Sequence, residues 1–153
     1  MTPIQKSLIR ESYSALAADV DASAALFYAY LFEADPSLRR MFSVSIRTQG
    51  RKFMAMMSAL LDCLDRLDSI VPLLWQMGKR HGEYGVTDAH YVLAGNALIR
   101  TLESRAGKAL PPETIAAWTE LYALIVRAMQ YSAAEASRAR PPIPSPDEPF
   151  ETS

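Results

Sequence analysis

The 153-residue sequence has few side chains to cross-link or coordinate with. It holds one cysteine, Cys63, and two histidines, His81 and His90. A lone cysteine excludes an intramolecular disulfide and fits a reducing compartment. The six glycines form no phosphate-cradling loop, and no Gly-x-Ser-x-Gly elbow occurs. Neither sign of charge is in excess, 16 basic residues against 17 acidic. No bulk field therefore draws the chain to nucleic acid or to an anionic membrane, and neither is expected as a partner. No apolar run approaches the roughly 18 residues of a membrane span. The first residues lack the basic start, apolar core and small-residue cleavage site of a signal peptide, so a cytoplasmic protein is expected.

No alternating strand pattern is convincing, whereas the helical period recurs almost everywhere, so the expected class is all-α. Thr2-Pro3-Ile4-Gln5 reads as a capped helix start. Ile4, Leu8 and Leu16 mark its inner face, with Tyr13 beside them. A second helix places Ala24, Phe27, Tyr28, Leu31 and Phe32 on one side. Asp35-Pro36 ends it and opens a short third, because proline disfavours a helical residue before it. Ser43 to Thr48 reads as a polar connection, and a long helix begins near Gln49. Phe53, Met56, Met57, Leu60, Leu64 and Leu67 recur along it.

A break over Asp65 to Ser69 is followed by a helix from about Ile70 to Gly82. Its Leu74, Met77 and His81 share a face. Thr87-Asp88 caps the next helix, with Tyr91, Leu98 and Leu102 inward. Pro111-Pro112-Glu113 opens the last. Residues 1–137 form one domain. Residues 138–153 hold five of the ten prolines and read as a Pro-rich C-terminal tail.

Two histidines and one cysteine do not make a zinc site, which takes three or four spaced protein ligands. A haem needs less, because its macrocycle supplies four nitrogens and the protein adds one axial ligand. His81, on an otherwise apolar helix face, meets that minimum. A hydrogen-bonded structural histidine meets the same pattern.

Several stretches, in order and at compatible spacing, carry a resemblance. They are Leu26-Phe-Tyr-Ala-Tyr-Leu-Phe, Asp35-Pro36, Phe42, Gln49-Gly-Arg-Lys-Phe-Met, Gly78-Lys-Arg-His81-Gly-Glu-Tyr-Gly-Val86, His90-Tyr91 and Ala117-Trp118. Over roughly residues 5 to 132 the chain resembles a globin. It is most similar to bacterial single-domain globins and to the globin domain of flavohaemoglobins, and closest to the Hell's Gate type. The resemblance implies a globin fold, the helical haem-binding sandwich, over residues 1–137.

It also implies haem b (iron protoporphyrin IX) as cofactor, with His81 as the metal ligand. The second ring nitrogen of His81 would be hydrogen-bonded to a carbonyl one turn earlier. Phe42 would pack on the haem, and Tyr28 and Gln49 would form the distal pair, stabilising negative charge on bound oxygen. Phe53 would narrow the distal side. Leu74, Met77, Val86, Tyr91 and Leu98 would complete the lining. Arg47, Arg51 and Lys52 are either partners for the haem propionates or a solvated face.

The implied function is reversible binding of oxygen, nitric oxide or carbon monoxide at a five-coordinate iron, serving oxygen storage or transport. The alternative is nitric oxide dioxygenation, a detoxification that needs a separate reductase. A haem-based sensor and a haem-free interaction module are the remaining readings. Two departures stand out. Flavohaemoglobins carry a reductase after the globin and none is expected here, and Ala133 stands where they carry the glutamate that pairs with the tyrosine at Tyr91. His90 is expected to be a cap or surface residue.

Overall fold

The computed structural model describes the backbone of residues 1–139 and the side chains of residues 1–135. Helix α1 spans Pro3–Ala17. Thr2 and Gln5 exchange hydrogen bonds across its first turn, at 3.1 and 2.9 Å. Ile9, Tyr13 and Leu16 are its buried residues. Ile4, expected on that face, is 73% exposed. Five residues before Ile9 is about 140° round a helix, so Ile4 faces water.

Helix α2 (Val20–Ala34) is capped by Asp19 and stops at Asp35, held extended ahead of Pro36. Asp35 then caps a 3-10 helix, Pro36–Met41, accepting the Ser37 N–H at 3.0 Å. Helix α3 (Ile46–Asp62) starts three residues before Gln49, because Ser45 supplies an N-cap to the Thr48 N–H. A three-residue 3-10 helix, Leu64–Arg66, joins it to α4 (Leu67–Glu83). The expected break over residues 65–69 is therefore shorter, and α4 begins three residues before Ile70. After a turn at Gly85 (φ 82°) follow α5 (Asp88–Ala106) and α6 (Pro112–Ala139). The last helix thus takes in residues 138 and 139. The rest of the expected tail lies outside the described residues.

No strand occurs among the described residues. Helix α4 packs mainly on α6, α2 on both α3 and α5, and α1 on α5 and α6. Trp118, 2% exposed, ties α6 to α1 by donating its indole N–H to Ser12 Oγ at 2.8 Å. Two crossings are close enough to require glycine. A Cβ on Gly50 would lie 2.7 Å from that of Ala24, so α2 and α3 meet nearly backbone to backbone. A Cβ on Gly78 would lie 2.2 Å from the Met129 carbonyl oxygen, and the same holds of α4 on α6.

Helices α3 and α4 follow one another in the chain yet scarcely pack together. Each is committed to a different partner, α2 for one and α6 for the other. Gln49 lies near the start of α3, and His81 near the end of α4.

Candidate functional site

The end of α4 is built around His81. Its Nδ1 lies 2.6 Å from the carbonyl oxygen of Met77, one turn earlier. A carbonyl only accepts, so this nitrogen carries the proton and Nε2 keeps its lone pair. Burial holds the imidazole below the ordinary histidine range. The Met77 carbonyl pulls it back and Arg80 pushes the same way as burial. The ring is therefore neutral near pH 7, the form that ligates a metal.

Around it, Leu74 is buried and Met77 is half-buried on the same face. The chain turns back after α4 so that the Val86 N–H donates to the His81 carbonyl at 3.0 Å, which fixes half-buried Val86 beside the histidine. The Tyr91 ring centroid is 6.3 Å from that of His81, with the planes tilted by 34°. Tyr91 is itself held by α6, since the Tyr122 hydroxyl donates to its carbonyl. Gly95 leaves room for the Tyr122 ring, which a Cβ there would approach to 2.8 Å. Burial, with Asp88 adding to it, raises the Tyr91 phenol. Leu98, further along α5, is buried in the core. Ala133 sits against Gly82, the residue after His81, with the two Cβ positions 3.1 Å apart.

The side chains packed between α2 and α3 are aromatic. Tyr28, 4% exposed, is ringed by Phe27 at 5.1 Å, Phe42 at 5.4 Å, Phe32 at 5.9 Å and Phe53 at 6.2 Å. Phe53 stacks flat on Phe27, at 4.3 Å and 9°. Gln49 reaches this cluster. Burial pushes the Tyr28 phenol up to about 12, and a hydrogen bond with the Gln49 side chain partly opposes that rise. The structure thus brings Tyr28, Phe42, Gln49 and Phe53 into one cluster and Leu74, Met77, His81, Val86 and Tyr91 into another.

The second histidine is accounted for locally. His90 Nδ1 accepts the Thr87 N–H at 3.0 Å, and Thr87 Oγ1 accepts the His90 N–H at 3.3 Å. This is a capping box with histidine in the place of glutamate. Sequence reasoning missed the Phe27–Phe53 stack and the two glycine crossings. The signal for the crossings was there: Gly50 and Gly78 interrupt helices in which glycine costs about 1 kcal/mol relative to alanine.

The donor set matches one kind of cofactor. No group of three or more metal-ligating side chains occurs among the described residues. A single neutral imidazole with a free Nε2, on a helix face shared with Leu74 and Met77, suits a group that brings its own equatorial ligands. Haem is such a group. A buried hydroxyl, Tyr28, and a half-buried amide, Gln49, suit a small polarised ligand.

Comparison with known proteins agrees. A model of the Globin family matches residues 25–129. The flavohaemoprotein of Bacillus thuringiensis is 32% identical over 105 residues, which are 67% of this chain and 26% of that protein. The chain therefore spans about a quarter of that relative. Neuroglobin of Danio rerio is 28% identical over 138 residues, 81% of this chain and 87% of the other. Among solved structures, ferric Aplysia limacina myoglobin superposes with a TM-score of 0.76 at 21% identity, over 86% of this chain and 98% of the other. An engineered carbene transferase from Rhodothermus marinus, whose parent is a candidate nitric oxide dioxygenase, gives 0.79 at 22%, over 90% and 96%.

Proposed function

This chain belongs to the globin family, and on that premise we propose that it holds haem b on His81 and reversibly binds oxygen, nitric oxide and carbon monoxide beside Tyr28 and Gln49. Within the family we place it with the flavohaemoglobin-like single-domain globins of the Hell's Gate type, on the motif set around Tyr28, Gln49 and His81. A haem cofactor and binding of gaseous ligands such as oxygen go with the family. The observation that carries the residue assignment is the His81–Met77 hydrogen bond, which leaves one ring nitrogen of a neutral imidazole available.

Haem, when bound, supplies an iron that takes up a diatomic ligand reversibly. The chain's own residues set the conditions. His81 ligates through Nε2, and the Met77 carbonyl fixes the ring's tautomer and raises its basicity. Leu74, Met77, Val86 and Leu98 supply apolar lining that excludes water. Tyr28 keeps its O–H proton at every physiological pH, because its phenol is raised to about 12. It is therefore always a donor, and a donor in a dry pocket favours a ligand that gathers negative charge. Gln49 holds that hydroxyl and adds a second donor. Phe42 packs the haem, and Phe53 limits the space beside Tyr28.

The same two donors suit oxidation of nitric oxide to nitrate with a separate reductase. The flavohaemoprotein similarity favours this as the second reading. We place the protein in the cytoplasm, on its lone cysteine. Among the described residues no single helix is long and apolar enough to cross a membrane.

The deciding experiment is absorption spectroscopy of the haem-reconstituted chain in ferric, ferrous, oxygenated and carbon monoxide forms, alongside His81→Ala. A strong Soret band and a five-coordinate ferrous spectrum, lost or altered in the variant, are expected. Failure to retain haem, or an unchanged variant, would refute the assignment. Nitric oxide consumption with an external electron donor then separates a carrier from an enzyme.

A further inference from the structure

We propose that Phe27, which stands back from the ligand, sets the largest ligand the site admits by holding Phe53 in place. The inference rests on the haem reading above, in which the ligand sits beside Tyr28 and Gln49. It makes Phe27 a positioning residue that acts through Phe53. On α3, Phe53 lies four residues after Gln49, so the two share a face. Its ring meets the Tyr28 ring edge-on, at 6.2 Å and 70°. Phe53 is therefore the apolar side chain that adjoins both polar ones. Phe27 precedes Tyr28 by one residue, a step of about 100° round α2, and is 5% exposed.

What holds Phe53 comes from α2. The Phe27 ring lies flat against it, at 4.3 Å and 9°. Phe27 is buried and Phe53 half-buried, so the backing ring is covered while the ring in front keeps some open surface. The edge of Phe27 is fixed in turn by Tyr28, at 5.1 Å and 78°. The helices themselves fix the spacing. Ala24 and Gly50 stand three residues before Phe27 and Phe53, and a Cβ on Gly50 would lie 2.7 Å from that of Ala24. The same Cβ would lie 4.0 Å from Tyr28 Cε2. One close crossing thus sets how far apart α2 and α3 stand, and the stack one turn on takes its position from that distance.

The consequence is selection by size. A diatomic ligand takes the least room beside Tyr28. A ligand with an alkyl chain beyond its second atom takes more, and must displace the Phe53 ring. That ring has no room to retreat, because Phe27 lies flat behind it. Close-packed side chains yield only by disturbing their neighbours. Shortening Phe27 gives Phe53 room to recede and leaves Gln49, Tyr28 and Phe53 themselves in place. A plain core phenylalanine, once shortened, changes the affinity for small and large ligands alike. A backing ring changes it for large ligands.

The test uses the haem-loaded full chain in the ferrous form, titrated with carbon monoxide and with n-butyl isocyanide by absorption spectroscopy. Both probes bind through carbon and meet the same Tyr28, so the ratio of their affinities reports size. Phe53→Leu and Phe27→Leu should each shift that ratio towards the isocyanide by at least about tenfold. In the Phe53→Leu background, Phe27→Leu should move it by no more than about twofold. Urea midpoints of the same four loaded chains give a second readout, and the two substitutions should combine non-additively there. Phe27→Met, close in volume, repeats each measurement where Phe27→Leu fails to retain haem. The proposal is overturned if the variants at position 27 leave the ratio unchanged, or shift it equally with and without Phe53. Strictly additive midpoints overturn it as well. Loss of haem from both variants at position 27 would overturn it too, by making Phe27 a structural residue only. Failure of the wild-type chain to retain haem strikes the haem reading itself and shows separately, as a missing Soret band.

Discussion

Met77 and His81 are joined by a 2.6 Å hydrogen bond within one turn of α4, and that bond decides which nitrogen of the imidazole is free. The same ring is held below the ordinary histidine range by burial. A group whose folded value is depressed below its unfolded one binds more protons when unfolded, so stability falls with pH below the unfolded value of about 6.5. Its contribution is complete above that value. The haem-free chain should therefore lose stability as pH drops from about 7 towards 5. His81→Leu should flatten the profile in this window. Urea denaturation followed by circular dichroism across that range measures it, and parallel profiles would refute it. Asp35 and Asp65, whose carboxyls are lowered by their hydrogen-bond partners, titrate below the window.

Tyr28 makes a different pH statement. With its phenol at about 12, the hydroxyl remains a donor throughout the range in which the protein is handled. The oxygen dissociation rate of the haem-loaded chain should be flat from about pH 6 to 10 so far as Tyr28 sets it. Tyr28→Phe should raise that rate by about one to two orders of magnitude, the value of a donor lost from a dry pocket. Gln49→Leu should do the same to a smaller degree. Stopped-flow oxygen displacement by carbon monoxide gives the rates. A Tyr28→Phe variant as slow as wild type would remove Tyr28 from the ligand.

The α2–α3 crossing can be tested by exchange of one methyl. Gly50→Ala places a Cβ 2.7 Å from that of Ala24 and should cost about 1–3 kcal/mol. Ala24→Gly removes the obstructing methyl, so the double variant should recover part of that loss. A non-additive double-mutant cycle is the expected result, and strict additivity would contradict the contact.

The α4–α6 crossing offers no such rescue, because the obstacle to Gly78 is the main chain of Met129. Gly78→Ala should cost more than Gly50→Ala, about 3 kcal/mol or above. Gly82→Ala, whose Cβ would sit 3.1 Å from that of Ala133, should cost clearly less. Thermal melts of the two variants give the ranking, and the reverse order would show that α4 lies differently on α6.

Much of this arrangement is legible in the sequence because it is local. The Thr2–Gln5 box, the Asp35–Pro36 stop and the Leu74, Met77, His81 face each depend on residues within a turn or two. Phase and pairing are less legible. Ile4, apolar and four residues before Leu8, fits the inner face by pattern, yet Ile9, 0% exposed, sets the phase. Helix α3 starts at Ile46 because Ser45 can cap it, a signal the polar run from Ser43 to Thr48 obscured. The Phe27–Phe53 stack and the Gly78–Met129 crossing join residues from separate helices, and no periodicity within one helix contains them. The residues proposed for the site come from the resemblance, since no periodicity within one helix joins Tyr28 and Gln49 to His81.

The glycine at position 78 acts as a detent. Where α4 crosses Met129, only a residue without a Cβ fits, and in this helix the other such residue is Gly82, four positions on. A slide of α4 along its own axis by one, two or three residues would drive a side chain into main chain. The next tolerated stop is a full turn away, about 6 Å. The height of the imidazole along α6 is therefore quantised. A residue inserted in the Leu64–Arg66 joint should be absorbed there as slack, leaving His81 at the same level.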